Sequence, residues 1–166
     1  DFNPALVAQG EVQISTLSVA DGSPGVAVSV PFIHVPGTRP EEGQFSHTVT
    51  AVIRQSKFMK AFGESDIITT YLVDRKGKLL AHPETARVAS GELVADVGVV
   101  RLFLEGKANN QQTRYIDPRN REAKLGAFKV VGFGGLGVVA EVAEAKAFEA
   151  AEKVQRRSLY VALFVL

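Results

Sequence analysis

Stretches rich in β-branched and aromatic residues, separated by short turn-forming segments, recur along the whole chain. The turns are predicted from clusters of Asp, Gly, Pro and Asn, at residues 21–25, 74–77 and 117–120. A further strand is predicted at residues 138–142, after a glycine-rich cluster. The pattern predicts three hairpins, formed by residues 11–19 with 25–33, 67–73 with 78–82, and 112–116 with 123–131.

Apolar residues recur at helical spacing in three other segments. Glu41 and Glu42 begin a predicted helix of roughly twenty residues, because acids in a first turn favour a helix start. The apolar face of this helix consists of Phe45, Val49, Val52, Ile53 and Met59. Residues 84–110 form a long connection, of the kind that usually serves as a functional loop or lid, with one short helix at 97–105. Residues 143–157 are rich in alanine and predict a terminal helix.

Strands joined mainly by hairpins, with helices outside them, indicate an α+β fold with a central antiparallel sheet. A chain of 166 residues is long enough for one domain with a hydrophobic core, which we assign to residues 1–157. The formal charge is +1 and Lys and Arg form no stripe, so the sequence carries no electrostatic footprint of nucleic-acid binding. The absence of cysteine excludes disulfides and thiolate metal sites.

Both ends of the chain suggest a fragment of a longer protein. The chain begins at Asp1 with neither an initiator Met nor a signal peptide. The apolar run at residues 158–166 could form only the first half of a membrane span, which needs about 20 apolar residues. The alternative is a terminal helix or strand buried in the core. Arg156 and Arg157 weigh slightly against the membrane interpretation, because basic flanks favour the cytoplasmic side.

A glycine-rich motif and the three histidines are the residues to weigh for a nucleotide or metal site. Residues 132–137 match G-x-G-x-x-G, but a dinucleotide site also needs a helix directly after the glycines and then a parallel strand. The β-branched residues that follow favour a turn between antiparallel strands instead. The three histidines, His34, His47 and His82, are far apart, so no spacing supports a metal site. We therefore expect neither a metal nor a cofactor.

Tyr115 and Asp117 are the strongest candidates for a binding site on residue pattern alone. Alternate residues of a strand point to the same side, so a phenol and a carboxylate converge there. This arrangement suits a cationic or hydrogen-bonding ligand group. The alternative remains open, because Asp117 before Pro118 is a normal turn opener and Tyr115 could belong to the core.

Three segments together resemble the Cache family, the PAS-like extracytoplasmic sensor domains of bacterial receptors. Residues 70–84 (TYLVDRKGKLLAHPE) resemble the central hairpin of that family. The segment Tyr115-Ile116-Asp117-Pro118, followed by residues 125–130 (LGAFKV), is similar to its next strand pair. Residues 136–142 (LGVVAEV) are similar to its last strand, which leads into an exit helix.

The resemblance implies a long N-terminal helix, a central antiparallel sheet and a C-terminal exit helix, with membrane spans beyond both helices. It also implies that small ligands, such as amino acids, carboxylates or amines, bind between the sheet and the long connection. A Tyr-x-Asp pair contacts the ligand in amino-acid-binding members, and Tyr115 and Asp117 match it. The Arg and Trp-Tyr pattern of those members is not reproduced, since the chain has no Trp and carries Arg101 and Phe103 in that region.

From these observations we predict a non-enzymatic sensing module, periplasmic or extracellular, of a membrane receptor that can act as a homodimer. The resemblance favours a receptor of the adenylate/guanylate cyclase type. The predicted ligand contacts are Tyr115 and Asp117, with Tyr71, His82, Arg101 and Arg114 as weaker candidates. Two alternatives remain, namely a ligand-free structural or dimerisation module and a small soluble enzyme that uses the glycine-rich loop.

Overall fold

The computed structural model describes residues 7, 10–32, 47–62, 65–132 and 134–149. The strands within these ranges form two antiparallel sheets, of three and five strands. The smaller sheet consists of β1 (Gln13–Ser18), β2 (Pro24–Phe32) and β3 (His47–Arg54), in that order. The larger sheet consists of β4 (Ile68–Val73), β5 (Leu79–Ala81), β6 (Asn110–Ile116), β7 (Ala123–Val131) and β8 (Leu136–Ala143). Its order is β5-β4-β8-β7-β6.

The three predicted hairpins are confirmed. The turn between β4 and β5 illustrates the cause, because the Asp74 carboxylate accepts the backbone N–H groups of Lys76 and Lys78 at 2.7 and 2.9 Å. Gly77 then adopts a φ of 76°, in the left-handed region that favours glycine. Hairpin turns of this composition also join β1 to β2 and β6 to β7, so local sequence fixed the pairing of neighbouring strands.

Strand β3 lies where the sequence predicts part of a long N-terminal helix, and that prediction is wrong over residues 47–54. The strand pairs with β2 from Phe32↔His47 to Gly25↔Arg54. Five of its eight residues are β-branched, which restricts them in a helix and favours a pleated strand. Only Gln55–Phe62 is helical, here named α1, and the predicted start of the helix at residues 41–46 lies outside the described residues.

The two faces of the five-stranded sheet carry separate cores. One face packs against the smaller sheet and α1, through a cluster that contains Val26, Leu72, Leu80 and Leu136. The other face packs against the segment between β5 and β6, which holds the short helices α2 (Thr85–Ala89) and α3 (Gly98–Leu104). We call this second face the connection face. Its apolar cluster includes Val73, Leu79, Val99, Val100, Phe103, Phe128 and Val139.

Two glycines let α3 approach the connection face closely. A Cβ added at Gly98 would lie 2.7 Å from the Tyr115 Cβ, and one added at Gly126 would lie 2.8 Å from the Tyr115 ring. Both distances are shorter than real Cβ contacts, so any larger residue would push the helix away from β6 and β7. The predicted long connection thus contains two short helices rather than one, and it covers the sheet tightly.

The glycine-rich segment joins β7 to β8 as an antiparallel hairpin, with Val131 opposite Leu136. A dinucleotide-binding loop would require a parallel βαβ unit, so the nucleotide-enzyme alternative is wrong. After β8, residues 144–149 are helical, and the rest of the predicted terminal helix and the apolar run at 158–166 lie outside the described residues. Within the described ranges, no helix is both long and apolar enough to span a membrane.

Candidate functional site

A cluster of buried polar side chains occupies one end of the connection face. Tyr71 on β4, Tyr115 on β6, Lys124 on β7 and Glu141 on β8 come from four adjacent strands. The register places Tyr115 opposite Lys124, and Asp117 follows directly after β6. Because side chains alternate along each strand, all of these groups project from the same face. We call this set of five residues the ammonium cluster.

Glu141 is the centre of the ammonium cluster and is only 5% exposed. Its Oε2 accepts the hydroxyl of Tyr115 at 2.6 Å and the hydroxyl of Tyr71 at 3.1 Å. Its Oε1 accepts the Lys124 ammonium at 2.8 Å. A buried carboxylate is costly unless it is paired and hydrogen-bonded, and these three donors satisfy both requirements.

Asp117 is the second carboxylate that holds the Lys124 ammonium, with an Oδ2–Nζ distance of 2.7 Å. Asp117 is 3% exposed, whereas the Lys124 side chain is 16% exposed. The other oxygen of Asp117 accepts the backbone N–H of Arg119 at 2.9 Å, which fixes the turn after β6. One primary ammonium group thus lies between two buried carboxylates.

An ion-pair chain extends the cluster towards the connection. Arg119 reaches from Asp117 to Glu92, whose Oε1 lies 3.2 Å from its Nη1. Glu92 also makes a bidentate pair with Arg87, at 2.7 and 2.9 Å. The Arg87 guanidinium in turn lies 2.8 Å from Nε2 of His82. Along this chain three buried or partly buried carboxylates face three cations: Glu92, Asp117 and Glu141 with Arg87, Arg119 and Lys124. The exposed Glu84 adds a fourth carboxylate, 3.8 Å from Arg87.

His82 lies at the end of this network, next to Arg87 and beneath the connection. It is 2% exposed, its ring lies 5.5 Å from that of Tyr71, and Nδ1 accepts the backbone N–H of Glu84 at 3.0 Å. Its backbone carbonyl accepts the side-chain amide of Gln55 from α1. Burial, together with the adjacent Arg87 guanidinium, lowers the pKa of His82 to about 4. His82 is therefore neutral near pH 7.

The protonation states of the cluster suit an ammonium-binding site. Burial and the neighbouring Glu141 carboxylate raise the pKa of both Tyr71 and Tyr115 well above the usual tyrosine range, so both phenols remain donors. Burial alone would favour a neutral Lys124, but its hydrogen bonds to Asp117 and Glu141 outweigh that effect and raise its pKa. The group between the carboxylates is thus a stable cation.

The structure brings together four of the six residues predicted from the sequence, namely Tyr71, His82, Tyr115 and Asp117. Arg114 lies elsewhere, because it alternates with Tyr115 along β6 and pairs with Glu144 on the opposite face of the sheet. Arg101 is exposed on α3 and makes no hydrogen bond or ion pair with the cluster in the described part of the chain. Neither arginine belongs to the ammonium cluster.

Lys124 and Glu141 are the central residues that the sequence reasoning missed. Glu141 is the only charged residue in the otherwise apolar strand LGVVAEVA, which was an available signal of a paired buried charge. Lys124 gave no such signal, because lysine near a strand end is usually solvated. Arg87, Glu92 and Arg119 also belong to the network, and only the fold brings them beside the strands.

A cavity of about 160 Å³ adjoins the ammonium cluster, and the walls of this cavity include Asp66, Thr69, Glu122, Lys124 and Glu141. A larger groove of about 440 Å³ lies on the opposite face of the sheet, beside Ile68, Arg114 and Leu125. Among the described residues, no group of His, Asp or Glu side chains could hold a metal ion. The two buried carboxylates around one ammonium have acceptors that suit a cationic organic group.

The sequence matches no known protein-family profile and none of the curated proteins. Its fold is similar to that of the extracellular domain of the proposed histidine kinase mmHK1S-Z3, with a TM-score of 0.62 and 14% identity over 90% of this chain. It is also similar to the ligand-binding domain of the Pseudomonas aeruginosa PAO1 amino acid chemoreceptor PctB in complex with L-Gln. In that comparison the TM-score is 0.58, with 16% identity over 96% of this chain.

A third similar structure is the ligand-binding domain of the Pseudomonas fluorescens chemoreceptor CtaA in complex with L-leucine. Here the TM-score is 0.53, with 13% identity over 84% of this chain. The chain spans 55%, 63% and 56% of the lengths of these three structures. The three are receptor domains and not catalytic ones. The predicted α+β, Cache-like fold is thus confirmed.

Proposed function

We propose that this chain is an extracytoplasmic sensing module that binds a small molecule carrying a primary ammonium group. The observation that carries the proposal is the position of the Lys124 Nζ, 2.7 Å from Asp117 and 2.8 Å from Glu141. A site that holds one primary ammonium in this way has the donors and acceptors to hold another. Amino acids and simple amines are the ligand classes with this group.

The ligand contacts in this proposal are Tyr71, Tyr115, Asp117 and Glu141. The two carboxylates would accept N–H groups of the ligand, and the tyrosines would keep the Glu141 carboxylate oriented. L-Gln and L-leucine, which are bound by the chemoreceptor domains of similar fold, both carry a primary ammonium. The similarity in fold and the chemistry of the cluster therefore point to the same ligand class.

The route of the signal also belongs to the proposal. Glu141 lies two residues before the end of β8, and residues 144–149 continue directly as helix. A ligand that binds better to one arrangement of β8 than to another would shift that helix, because only differential affinity moves an equilibrium. In a membrane receptor at the cell surface, this helix would lead towards the membrane and an output domain. A cyclase output and a homodimer stay predictions.

The test is thermal unfolding of the chain with a panel of amino acids, amines and carboxylates that lack an amine. A ligand at a hundred times its Kd should raise the free energy of unfolding by about 2.7 kcal/mol. Asp117→Asn should remove this stabilisation, because the amide replaces a carboxylate with a neutral group. Arg114→Ala, on the opposite face, is the matched control and should keep it.

A ligand-free structural module is the second candidate, and the internal ion pairs of the network favour it. The network is satisfied by its own side chains, as a purely structural core would be. In that case no member of the panel would raise the melting temperature of the wild-type chain. Stabilisation by carboxylates that lack an amine would contradict both candidates.

A further inference from the structure

The ammonium cluster already contains a cation of its own, the Lys124 ammonium, which a ligand would meet at the same carboxylates. Lys124 supplies the only side-chain ammonium that contacts Asp117 and Glu141 in the described part of the chain. Two ammonium groups cannot share this space, because both would need the same carboxylate oxygens. Any ligand ammonium that binds there must therefore take the place of the Lys124 Nζ.

The Lys124 ammonium has an alternative position in the cavity beside it. This cavity of about 160 Å³ is lined by the acidic residues Asp66 and Glu122, in addition to Glu141, and these three outnumber the other lysine of the lining, Lys146. The lysine ammonium sits on a flexible four-carbon stem, so it can move to these outer acids without any change in the strand. The side chain is also the most exposed member of the Lys124–Asp117–Glu141 triad, at 16% against 4% and 5%.

The size of the cavity supports the same conclusion. Small-molecule sites usually have volumes of about 300–1,000 Å³, and this cavity alone is smaller. Lys124 and Glu141 both line the cavity, whereas Asp117, which contacts the Lys124 Nζ at 2.7 Å, does not. Withdrawal of the Lys124 side chain would extend the cavity to Asp117 and free the ammonium position between the two carboxylates.

We infer that Lys124 is a built-in competitor that occupies the ammonium position of the unliganded domain and is displaced by the ligand. This inference rests on the proposed function. The exchange of one ammonium for another leaves the charge of the cluster unchanged, so the buried carboxylates never lose their counter-ion. Because the site is available only in the fraction of molecules with Lys124 withdrawn, the apparent affinity of the wild-type domain is reduced by that fraction.

The experiment uses Lys124→Ala and propylammonium, which replaces the atoms that the substitution removes. We expect K124A to have a lower melting temperature than wild type, and we expect propylammonium chloride to restore most of the loss in a saturable way. Its apparent affinity for K124A should exceed that for wild type by about tenfold or more. The controls at equal ionic strength are sodium chloride, 1-propanol and tetramethylammonium, which lack respectively the alkyl chain, the charge and the N–H donors.

Lys129→Ala is the matched variant, since Lys129 lies on the same strand but is exposed on the other face. It should respond to propylammonium as wild type does. If K124A does not fold in buffer, refolding with propylammonium present should recover it, and failure to recover would contradict the inference. Equal stabilisation by 1-propanol, or an equal response of wild type and K124A, would also overturn it.

The two proposals fail in different ways. A ligand found in the wild-type screen that binds K124A no more tightly would contradict displacement of Lys124 and leave sensing intact. If propylammonium rescues K124A but the screen finds no ligand for wild type, the sensing function is contradicted. The claim that Asp117 and Glu141 form a position for an ammonium group would still hold.

Discussion

The connection face of the larger sheet has two halves that are both largely covered but chemically opposite. One half is an apolar core, in which Phe103 packs edge-to-face on Phe128 with ring centroids 5.8 Å apart. The other half is the ammonium cluster around Glu141. The same connection covers both halves, so burial alone does not explain why one of them is polar.

The two halves differ in how they contribute to stability and to specificity. An apolar core gains stability from area and packing and tolerates substitutions of similar volume. A buried ion network gains little net stability, because desolvation offsets attraction, and it fails when one partner is removed. A chain that needed only a stable fold could fill both halves with Val and Phe. Under the proposed function, the polar half is the part of the sheet that recognises the ligand.

The largest effect is expected from a cavity in the apolar half. Phe103→Ala removes a ring that is 6% exposed and should lower the free energy of unfolding by about 3–5 kcal/mol. Urea unfolding of the two chains measures the difference. Leu93→Ala is the control, since Leu93 is 62% exposed and its truncation should change the free energy by less than about 0.5 kcal/mol.

Substitutions of equal shape should separate the two halves most clearly. Glu141→Gln keeps the size of the side chain but removes the charge that faces Lys124, and it should cost about 2–3 kcal/mol. Leu79→Met, a similar exchange in the apolar half, should cost less than about 1.5 kcal/mol. Equal costs in urea unfolding would contradict the distinction between the halves.

The smallest predicted effect concerns pH and His82. The pKa of His82 is about 4 in the folded chain, against 6.5 for an ordinary histidine. Below pH 6.5, His82 takes up a proton in the unfolded chain but stays neutral in the folded chain. The free energy of unfolding therefore falls as the pH decreases. Well above pH 6.5 both states are neutral and His82 contributes no slope.

This linkage should remove about 2 kcal/mol between pH 7 and pH 5. Unfolding free energies at both pH values measure it, and His82→Asn is the control that should lose this part of the pH dependence. A stability that rises as the pH falls from 7 to 5 would contradict a buried, neutral His82.

Turn chemistry explains why much of the fold could be predicted from the sequence. Asp74 and Gly77 specify their turn through contacts within five residues, so the hairpin they define needs no tertiary information. Strand β3 could not be predicted in the same way. Its apolar residues also fit a helical spacing, and the β-branched content together with the pairing with β2 decides in favour of the strand.

In the candidate site too, contacts within one strand could be predicted from the sequence, whereas contacts between strands could not. Tyr115 and Asp117 are two residues apart on one strand, so alternation alone brings them to one face. Lys124 and Glu141 meet because β7 pairs with β8 in a particular register, and Tyr71 reaches Glu141 only through the pairing of β4 with β8. Contacts between distant segments depend on this register, which the amino-acid pattern does not state.

Isothermal titration of one amino acid and its deaminated analogue would test the central claim most directly. We expect wild type to bind the amino acid but not the analogue, and Asp117→Asn, still folded, to bind neither. Binding of the analogue with the affinity of the amino acid, or unchanged binding by Asp117→Asn, would contradict the claim that Asp117 and Glu141 form a site for a ligand ammonium.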